Sequence, residues 1–239
     1  MVSLSPGSSM TTANKEQYLE SICRLGGERG AVGVPALAEE MGISLVSANQ
    51  MIKKLAALDL VAYEPYKGVT LTSAGRSEAL RLIRRHRLWE RFLTDVLHLP
   101  WDQVHAEACR LEHATSAVVE GHLARFLGEP EACPHGHPMP TADGRLDFET
   151  GCPMTDLATG EDAVVLRVPE GDNALLQYIA ALGLSPAAAI RVEAVAPFEG
   201  PLTVEVGDAP VQFRDLRVER RPRRAFEFEF GLEPRDVGL

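Results

Sequence analysis

The amino-acid sequence predicts a mainly α-helical protein that closes in a small β domain, and three observations carry the prediction. Apolar residues recur at helical spacing as far as about residue 127, then give way to short β-prone runs between residues 163 and 230. Early in the chain, a short helix, a Gly-containing break and a longer helix follow one another, and a hairpin with a Gly turn comes next. Charge is split: residues 1–92 hold 12 Lys+Arg against 9 Asp+Glu, whereas residues 93–239 hold 12 against 25. A net charge of −10 argues against nucleic acid, but a basic first third on an acidic remainder fits a chain whose first third alone meets phosphate.

A chain of 239 residues has room for two or three small domains. Hydrophobic content of 45% and charged content of 24% are ordinary for a soluble globular protein. No apolar run approaches the ~18 residues of a membrane span, so no membrane partner is expected. Residues 1–12, rich in Ser, Thr, Gly and Pro with no charged or apolar leader, read as a tail, and the expected location is the cytoplasm. Four cysteines are too sparse for a disulfide scaffold. Cys23 reads as core, and a cysteine close to histidine is a metal or redox candidate.

The first domain is expected over residues 13–73. Lys15–Glu28 carries Tyr18, Ile22 and Leu25 at helical spacing and ends at Gly26-Gly27. Pro35–Met41 makes a short second helix, Gly42 breaks it, and Ser44 caps a third helix running to Leu58, with Ala48, Met51, Ile52, Leu55 and Leu58 on its buried side. This is the helix-turn-helix order, in which the third helix enters the major groove. Asp59–Glu64 and Val69–Thr72 flank a Pro-Tyr-Lys-Gly turn and form the wing. Ser44, Ser47, Gln50, Lys53 and Lys67 are the candidate DNA contacts: glutamine pairs with adenine edges, hydroxyls reach bases or phosphates, and lysine meets phosphate. The same polar face also suits a winged helix used for protein contacts.

A helical domain with its linker is expected over 74–150. One helix runs from Ser73 to about Leu97 with arginines at 81, 84, 85, 87 and 91, and on it His86 and Glu90 share a face, as a ligand pair or as a plain intrahelical contact. A further helix is expected over Trp101–Leu127, with an apolar side that suits a two-fold dimer reading the half-sites of a palindrome. His105, Cys109, Glu112 and His113 fall at offsets 0, 4, 7 and 8 along it, hence on one face. Imidazole, thiolate and carboxylate together suit a divalent transition metal, although a polar seam between helices has the same pattern. The Pro- and Gly-rich stretch that follows holds Cys133-Pro-His135-Gly-His137-Pro, in which Cys133 and His135 form a plausible ligand pair. Strand-like runs at 163–168, 189–195, 202–206, 211–216 and 225–230, with a short helix at 173–182, build a small barrel-like domain over 151–231, before a tail at 232–239. Arg220–Arg224 is a basic surface patch without an assigned role.

Two runs give the chain a resemblance. Arg85–Asp95 (RHRLWERFLTD) and Val104–His113 (VHAEACRLEH) are similar to the ligand-bearing helices of the diphtheria toxin repressor and manganese transport regulator family of metal-dependent repressors. The resemblance implies a winged helix-turn-helix, a helical dimerisation domain and an SH3-like, FeoA-type third domain. It implies one metal site from His86, Glu90 and His105, and another from Cys109, Glu112 and His113 with a group on the first helix. That group, Met or Asp in the family, falls on Gln17, a poor ligand, and Glu20 one turn later matches an acidic ligand of some manganese-type members. Cys109 is the iron-type choice, whereas the Cys133–His135 loop resembles one in streptococcal-type manganese regulators, where it binds metal together with the helix glutamate matched here by Glu90. From the third domain the resemblance offers Asp172 first and Glu170 second as ligands, and solvated loop acids fit that position as well.

The expected function is therefore a homodimeric, metal-dependent transcriptional regulator on palindromic double-stranded DNA, with metal as corepressor: Mn(II) first, Fe(II) next, and Zn(II) or Co(II) in vitro. Metal would draw Glu20 toward the Cys109–His113 helix and fix the angle of the recognition unit. A thiol redox regulator using Cys109 or Cys133 shares the same DNA-binding half. A metal-dependent hydrolase leaves the recognition helix and wing unexplained, and nothing here resembles H-E-x-x-H, so no enzymatic activity is expected.

Overall fold

The computed structural model describes residues 12–27, 30–146, 151–170, 172–197, 200–207, 209–213 and 216–220. The expected tails, the run at 225–230 and most of the Arg220–Arg224 patch lie outside the described residues.

Helices α1 (Thr12–Arg24), α2 (Val34–Glu40) and α3 (Leu45–Ala57) precede a two-stranded wing, β1 (Val61–Glu64) and β2 (Gly68–Leu71), paired antiparallel. Local signals place these elements. Pro35 sits in the first turn of α2, Gly42 takes a φ of 62° after it, and the Ser44 hydroxyl accepts the Ser47 amide at 3.1 Å to start α3. Leu19, Ile22, Leu37, Ile52, Leu55 and Val69 close a core with less than 1% exposure each. A buried aliphatic side chain of this kind contributes about 1.5–3 kcal/mol relative to leaving it in water. Leu58, expected on the buried side of α3, is instead exposed past the helix end.

α4 (Ser73–Asp95) is the arm on which the molecule is assembled. Thr72 caps it by accepting the Gly75 amide at 3.1 Å, and the same hydroxyl donates to the Asp59 carbonyl at 2.7 Å, so the helix start is sewn to the base of the wing. One flank packs on α1, with Ala79 entering the first core. The far half packs on α5 (Val104–Glu112) through Leu93, Val104 and Ala108, and on α6 (Ala117–Phe126) through Leu88, Leu123 and Ala124. The single helix expected over Trp101–Leu127 is thus two. Trp89 Nε1 donates to Thr115 Oγ1 at 2.7 Å, that hydroxyl donates to the Leu111 carbonyl at 2.7 Å, and Ser116 caps α6, so the chain turns between His113 and Ser116.

The stretch read as a linker is packed. Arg84 Nη1 donates to the Pro140 carbonyl at 2.7 Å and Arg87 Nη1 to the Pro138 carbonyl, which fixes residues 131–140 along α4. On its other side the loop meets the third domain: Val168 N donates to the His135 carbonyl at 3.0 Å, and at Gly136 (φ 86°) a Cβ would fall 2.0 Å from the Leu166 oxygen.

The third domain is one six-stranded antiparallel sheet, order β3-β8-β4-β5-β6-β7, with α7 (Asn173–Ala181) between β4 and β5. Its strands are β3 (Cys152–Pro153), β4 (Asp162–Arg167), β5 (Ala189–Val195), β6 (Leu202–Val206), β7 (Ala209–Phe213) and β8 (Arg217–Arg220). Register shifts at Val165/Arg167 and Val192/Ala194 bend the sheet around Met154, Val165, Leu176, Ile179, Val204 and Val218. The run expected over 211–216 is β7 shifted toward the N-terminus, and β8 was not anticipated because Val218 is its one apolar residue. Among the described residues no helix is long and apolar enough to cross a membrane.

Replacing Gly75 with Ala would ordinarily favour a helix, but the new Cβ would sit 1.9 Å from the Leu60 carbonyl oxygen. Gly75→Ala is expected to destabilise the protein by about 1–3 kcal/mol in urea unfolding, and a stabilised variant would contradict the close approach of α4 to β1.

Candidate metal centre

His86 and Glu90 lie one turn apart on the inward face of α4, and both side chains are fully buried. Their carboxylate–imidazole contact is 3.0 Å, from Glu90 Oε1 to His86 Nε2. The other ring nitrogen, Nδ1, meets Glu112 Oε2 of α5 at 2.7 Å, and His105 Nδ1 lies 3.0 Å from His86 Nε2. The pair is therefore more than an intrahelical contact, since α5 supplies partners to both nitrogens of the His86 ring.

Three groups of ligand-type atoms form around this pair, each with its atoms within 4.8 Å of one another. The first is His86, His105 and Cys109, carried wholly by α4 and α5. The second is Glu20, His86 and Glu112, and it brings in α1. The third is Glu90, Cys133, His135 and Glu170, from α4, the packed loop and the third domain. Cys109 Sγ lies 3.7 Å from His105 Nε2, and His135 Nδ1 lies 3.6 Å from Glu90 Oε1.

Electrostatics follow from the burial. Desolvation opposes a charged His86, but Glu90 and the hydrogen bonds to Cys109, Glu112 and Glu90 hold its pKa well above the usual imidazole value. Burial pushes Glu90 up, and His86, His105 and His135 together bring it well below the usual carboxylate range. The Cys109 thiol is drawn down to about 7: burial works against this, and His105 and His86 outweigh it. Burial, with Glu90 and Glu170 nearby, pushes the Cys133 thiol far up. His137, half-buried and bonded to the Val168 carbonyl, falls to about 4, mainly by desolvation.

The residues fit a divalent cation. Glu90 Oε2 is buried with no hydrogen-bond partner among the described residues, inside a group that holds a second carboxylate, a thiol and an imidazole. An orphaned carboxylate oxygen in such company is an acceptor that a cation would satisfy. The nitrogen, oxygen and sulfur donors together suit Mn(II), Fe(II), Zn(II) or Co(II) better than Mg(II) or Ca(II).

Not every sequence candidate joins. His113 is separate from the three groups: its Nδ1 meets Glu16 Oε2 of α1 at 2.9 Å, and its Nε2 lies 3.4 Å from Glu112 Oε1. Gln17 is exposed, and the first helix reaches the site through Glu16 and Glu20, four residues apart and therefore on one face. Asp172 is spent on capping α7, where it accepts the Ala174 and Leu175 amides at 2.9 and 3.1 Å, so the third domain's carboxylate at the site is Glu170. Glu16 escaped the sequence reading, although its helical register with Glu20 was available.

Two surfaces complete the picture. Ser44, Ser47, Gln50, Lys53 and Lys54 are exposed on α3 beside Val46, and Lys67 stands at the wing tip in a solvent-exposed pair with Glu64. In the helical domain, Val118, Val119 and Phe126 of α6 are exposed and line an apolar groove with Phe92, His122 and Leu123.

Comparison with known proteins gives three family models in succession. "Iron dependent repressor, N-terminal DNA binding domain" matches residues 10–69, "Iron dependent repressor, metal binding and dimerisation domain" matches 72–141, and "FeoA domain" matches 152–215. The chain is 34% identical over 194 residues to the iron-dependent repressor IdeR of Mycobacterium leprae (strain TN), covering 74% of this chain and 83% of the relative. Among solved structures it resembles a manganese-dependent transcriptional repressor in complex with manganese, with TM-score 0.80, 34% identity, and coverage of 87% of this chain and 100% of the other. ScaR with bound Zn2+ is similar at TM-score 0.76 and 30% identity, over 87% of this chain and 100% of that one.

Thiol chemistry tests the geometry in the absence of metal. Alkylation by iodoacetamide follows the thiolate, so in chelator Cys109 is expected to react with a midpoint near pH 7, the rate rising as pH increases through that value. Cys133, 2% exposed, is expected to stay unmodified throughout. Peptide mapping separates the two, and a Cys109 midpoint near that of a free thiol, about 8.5, would show that the imidazoles do not face it in solution.

Proposed function

Since the chain belongs to the diphtheria toxin repressor and manganese transport regulator family of metal-dependent transcriptional repressors, we propose that it is a manganese-responsive repressor, working in the cytoplasm as a homodimer on a palindromic operator. The observation that carries this reading is the convergence of ligand groups from α1, α4, α5, the packed loop and the third domain on one buried pair, His86 and Glu90, with a Glu90 oxygen left unpartnered.

In this reading Glu90, Cys133, His135 and Glu170 hold one cation, and Glu20, Glu112 and His113, with Glu16, hold the junction between α1 and α5. His86, His105 and Cys109 form the platform between them. Bound there, a divalent metal supplies the positive charge that lets these carboxylates share one space. The residues then fix the angle between α1 and α5, and with it the direction in which α3 presents Ser44, Ser47 and Gln50 to base edges and Lys53 and Lys67 to phosphates. Carboxylate-rich donors favour Mn(II), and Fe(II) comes second because of the His-Cys platform. Metal acts by its differential affinity for the DNA-competent state, and DNA tightens metal binding in return.

A coupling of about 1–3 kcal/mol corresponds to a 5–150-fold gain in operator affinity with Mn(II) over chelator. Fluorescence anisotropy on a selected palindromic operator is expected to return a ratio in that range, with Glu112→Gln collapsing it toward one. Equal affinity of the unmodified protein in metal and in chelator would end the reading.

Self-association through α6 is expected to bury the Val118, Val119 and Phe126 face against a second copy. Val118, 69% exposed, contributes little to the protomer's own core, so Val118→Glu is expected to leave the unfolding temperature nearly unchanged while shifting sedimentation from dimer to monomer. A variant that stays dimeric would place the interface elsewhere.

A further inference from the structure

Arg24, the last residue of α1, stands where the three domains meet. Its Nε and Nη2 donate to Glu20 Oε1 at 3.0 and 2.8 Å, and its Nη1 donates to Glu170 Oε2 at 2.9 Å, across 146 residues of sequence. The guanidinium therefore touches one member of the Glu20–His86–Glu112 group and one of the Glu90–Cys133–His135–Glu170 group. Glu170 divides its oxygens between the two sides. Oε2 faces Arg24, whereas Oε1 lies 3.4 Å from Cys133 Sγ and 3.5 Å from His137 Nε2.

Arg24 itself is open to solvent, its side chain 26% exposed, but the carboxylates it joins are not. The side chains of Glu20 and Glu170 are 9% and 8% exposed, and three hydrogen bonds hold one rigid fork between carboxylates from two domains. Charge neutralisation alone would not need that fork, because a lysine ammonium would supply the same unit charge. α1 is also the right receiver for a signal. Leu19 and Ile22 lie in the same core as Ile52 and Leu55 of α3, so a displacement of α1 is passed to the recognition helix.

We propose that Arg24 is a positioning residue that couples the third domain's metal ligand to the DNA-binding unit: by gripping Glu170 and Glu20 together, it converts the placement of Glu170 into the placement of α1. The inference rests on the metal-responsive reading above. It assigns the FeoA-type domain a direct part in the response, through a side chain that offers no ligand atom itself.

The experiment compares the full chain with Arg24→Lys and Arg24→Met. Lysine keeps the charge and cannot span both carboxylates, so a neutralising role predicts rescue by Lys and a positioning role does not. Three measurements are made: Mn(II) binding by titration calorimetry, operator affinity in Mn(II) and in chelator, and amide exchange in chelator over residues 20–24 and 166–170. For both variants, Mn(II) binding is expected to persist and the ratio of operator affinities to fall to within about twofold of one, from the 5–150-fold range. Exchange at the two segments is expected to quicken without metal. An Arg24→Lys protein with the parent's ratio, unchanged exchange in chelator, or loss of Mn(II) binding itself would each overturn the proposal. A parent whose operator affinity ignores Mn(II) would instead remove the metal-responsive reading, and the coupling with it.

Discussion

The burial of His86 and Glu90 on one face of α4 is the constraint on which the rest of the structure depends. Removing two ionisable groups from water costs several kcal/mol for each charge unless further partners surround them. Here the partners come from everywhere. Glu112 meets the free nitrogen of His86, His105 crowds the same ring, and His135 approaches Glu90 from the loop. Each neighbour dictates a piece of architecture. α5 must run back along α4, residues 131–140 must lie flat on that helix under Arg84 and Arg87, and the third domain must press on the loop closely enough that Gly136 has no room for a side chain. Apolar contacts of α4 draw α5 and α6 against it, but the polar pair fixes which groups must face it.

The same helix also joins the winged unit to the helical domain. Its first turn is capped by Thr72, which holds the base of the wing, and Gly75 lets the backbone of Leu60 lie against it. Its middle packs on α1 and its end on α5 and α6. The winged unit is thus held at two places, the start of α4 and the flank where α1 lies. The first is a close backbone approach of Leu60 against Gly75, with the Thr72 hydroxyl bonded across it. The second is polar, through Glu16, Glu20 and Arg24. Close packing has one arrangement, whereas a polar seam of carboxylates answers to whatever charge lies in it.

Much of this was legible in the sequence, and the parts that were not have physical reasons. The winged unit announced itself because Pro35, Gly42 and Ser44 are local stop and start signals whose meaning does not depend on the rest of the chain. His105 and Cys109 came through as a ligand-type pair because they sit four apart on a helix. The break between α5 and α6 left no such mark. Apolar spacing runs on through Leu111 and Val118, and what turns the chain is a tertiary bond from Trp89 to Thr115. The choice between Asp172 and Glu170 was readable in part, since an Asp directly ahead of Asn-Ala-Leu-Leu is an N-cap pattern, which points its carboxylate at the amides of its own helix. Glu16 was hidden by its neighbour: attention to the position of Gln17 concealed the fact that the inward face of α1 is one residue away. Arg24 was legible only in half: Glu20, four residues before it, is an ordinary helical partner, but Glu170 is brought to it by the fold alone.

These distinctions bear on how a metal could act as a switch. A ligand with equal affinity for two conformations shifts neither, however tightly it binds. His86, His105 and Cys109 all stand on α4 and α5, which pack against each other through Leu93, Val104 and Ala108, so their mutual distances change little between states. A cation held by those three alone would stabilise the helical domain and leave the DNA-binding unit where it was. Discrimination has to come from groups whose members ride on different bodies. Glu20 stands on α1 and Glu112 on α5, and Glu170 belongs to the third domain and Glu90 to α4. His105 and Cys109 belong to such a fixed set, whereas Glu112, on the same helical face, is grouped with Glu20 of another element. In the proposed reading discrimination falls to the carboxylates that stand on different elements, and these have no common motif.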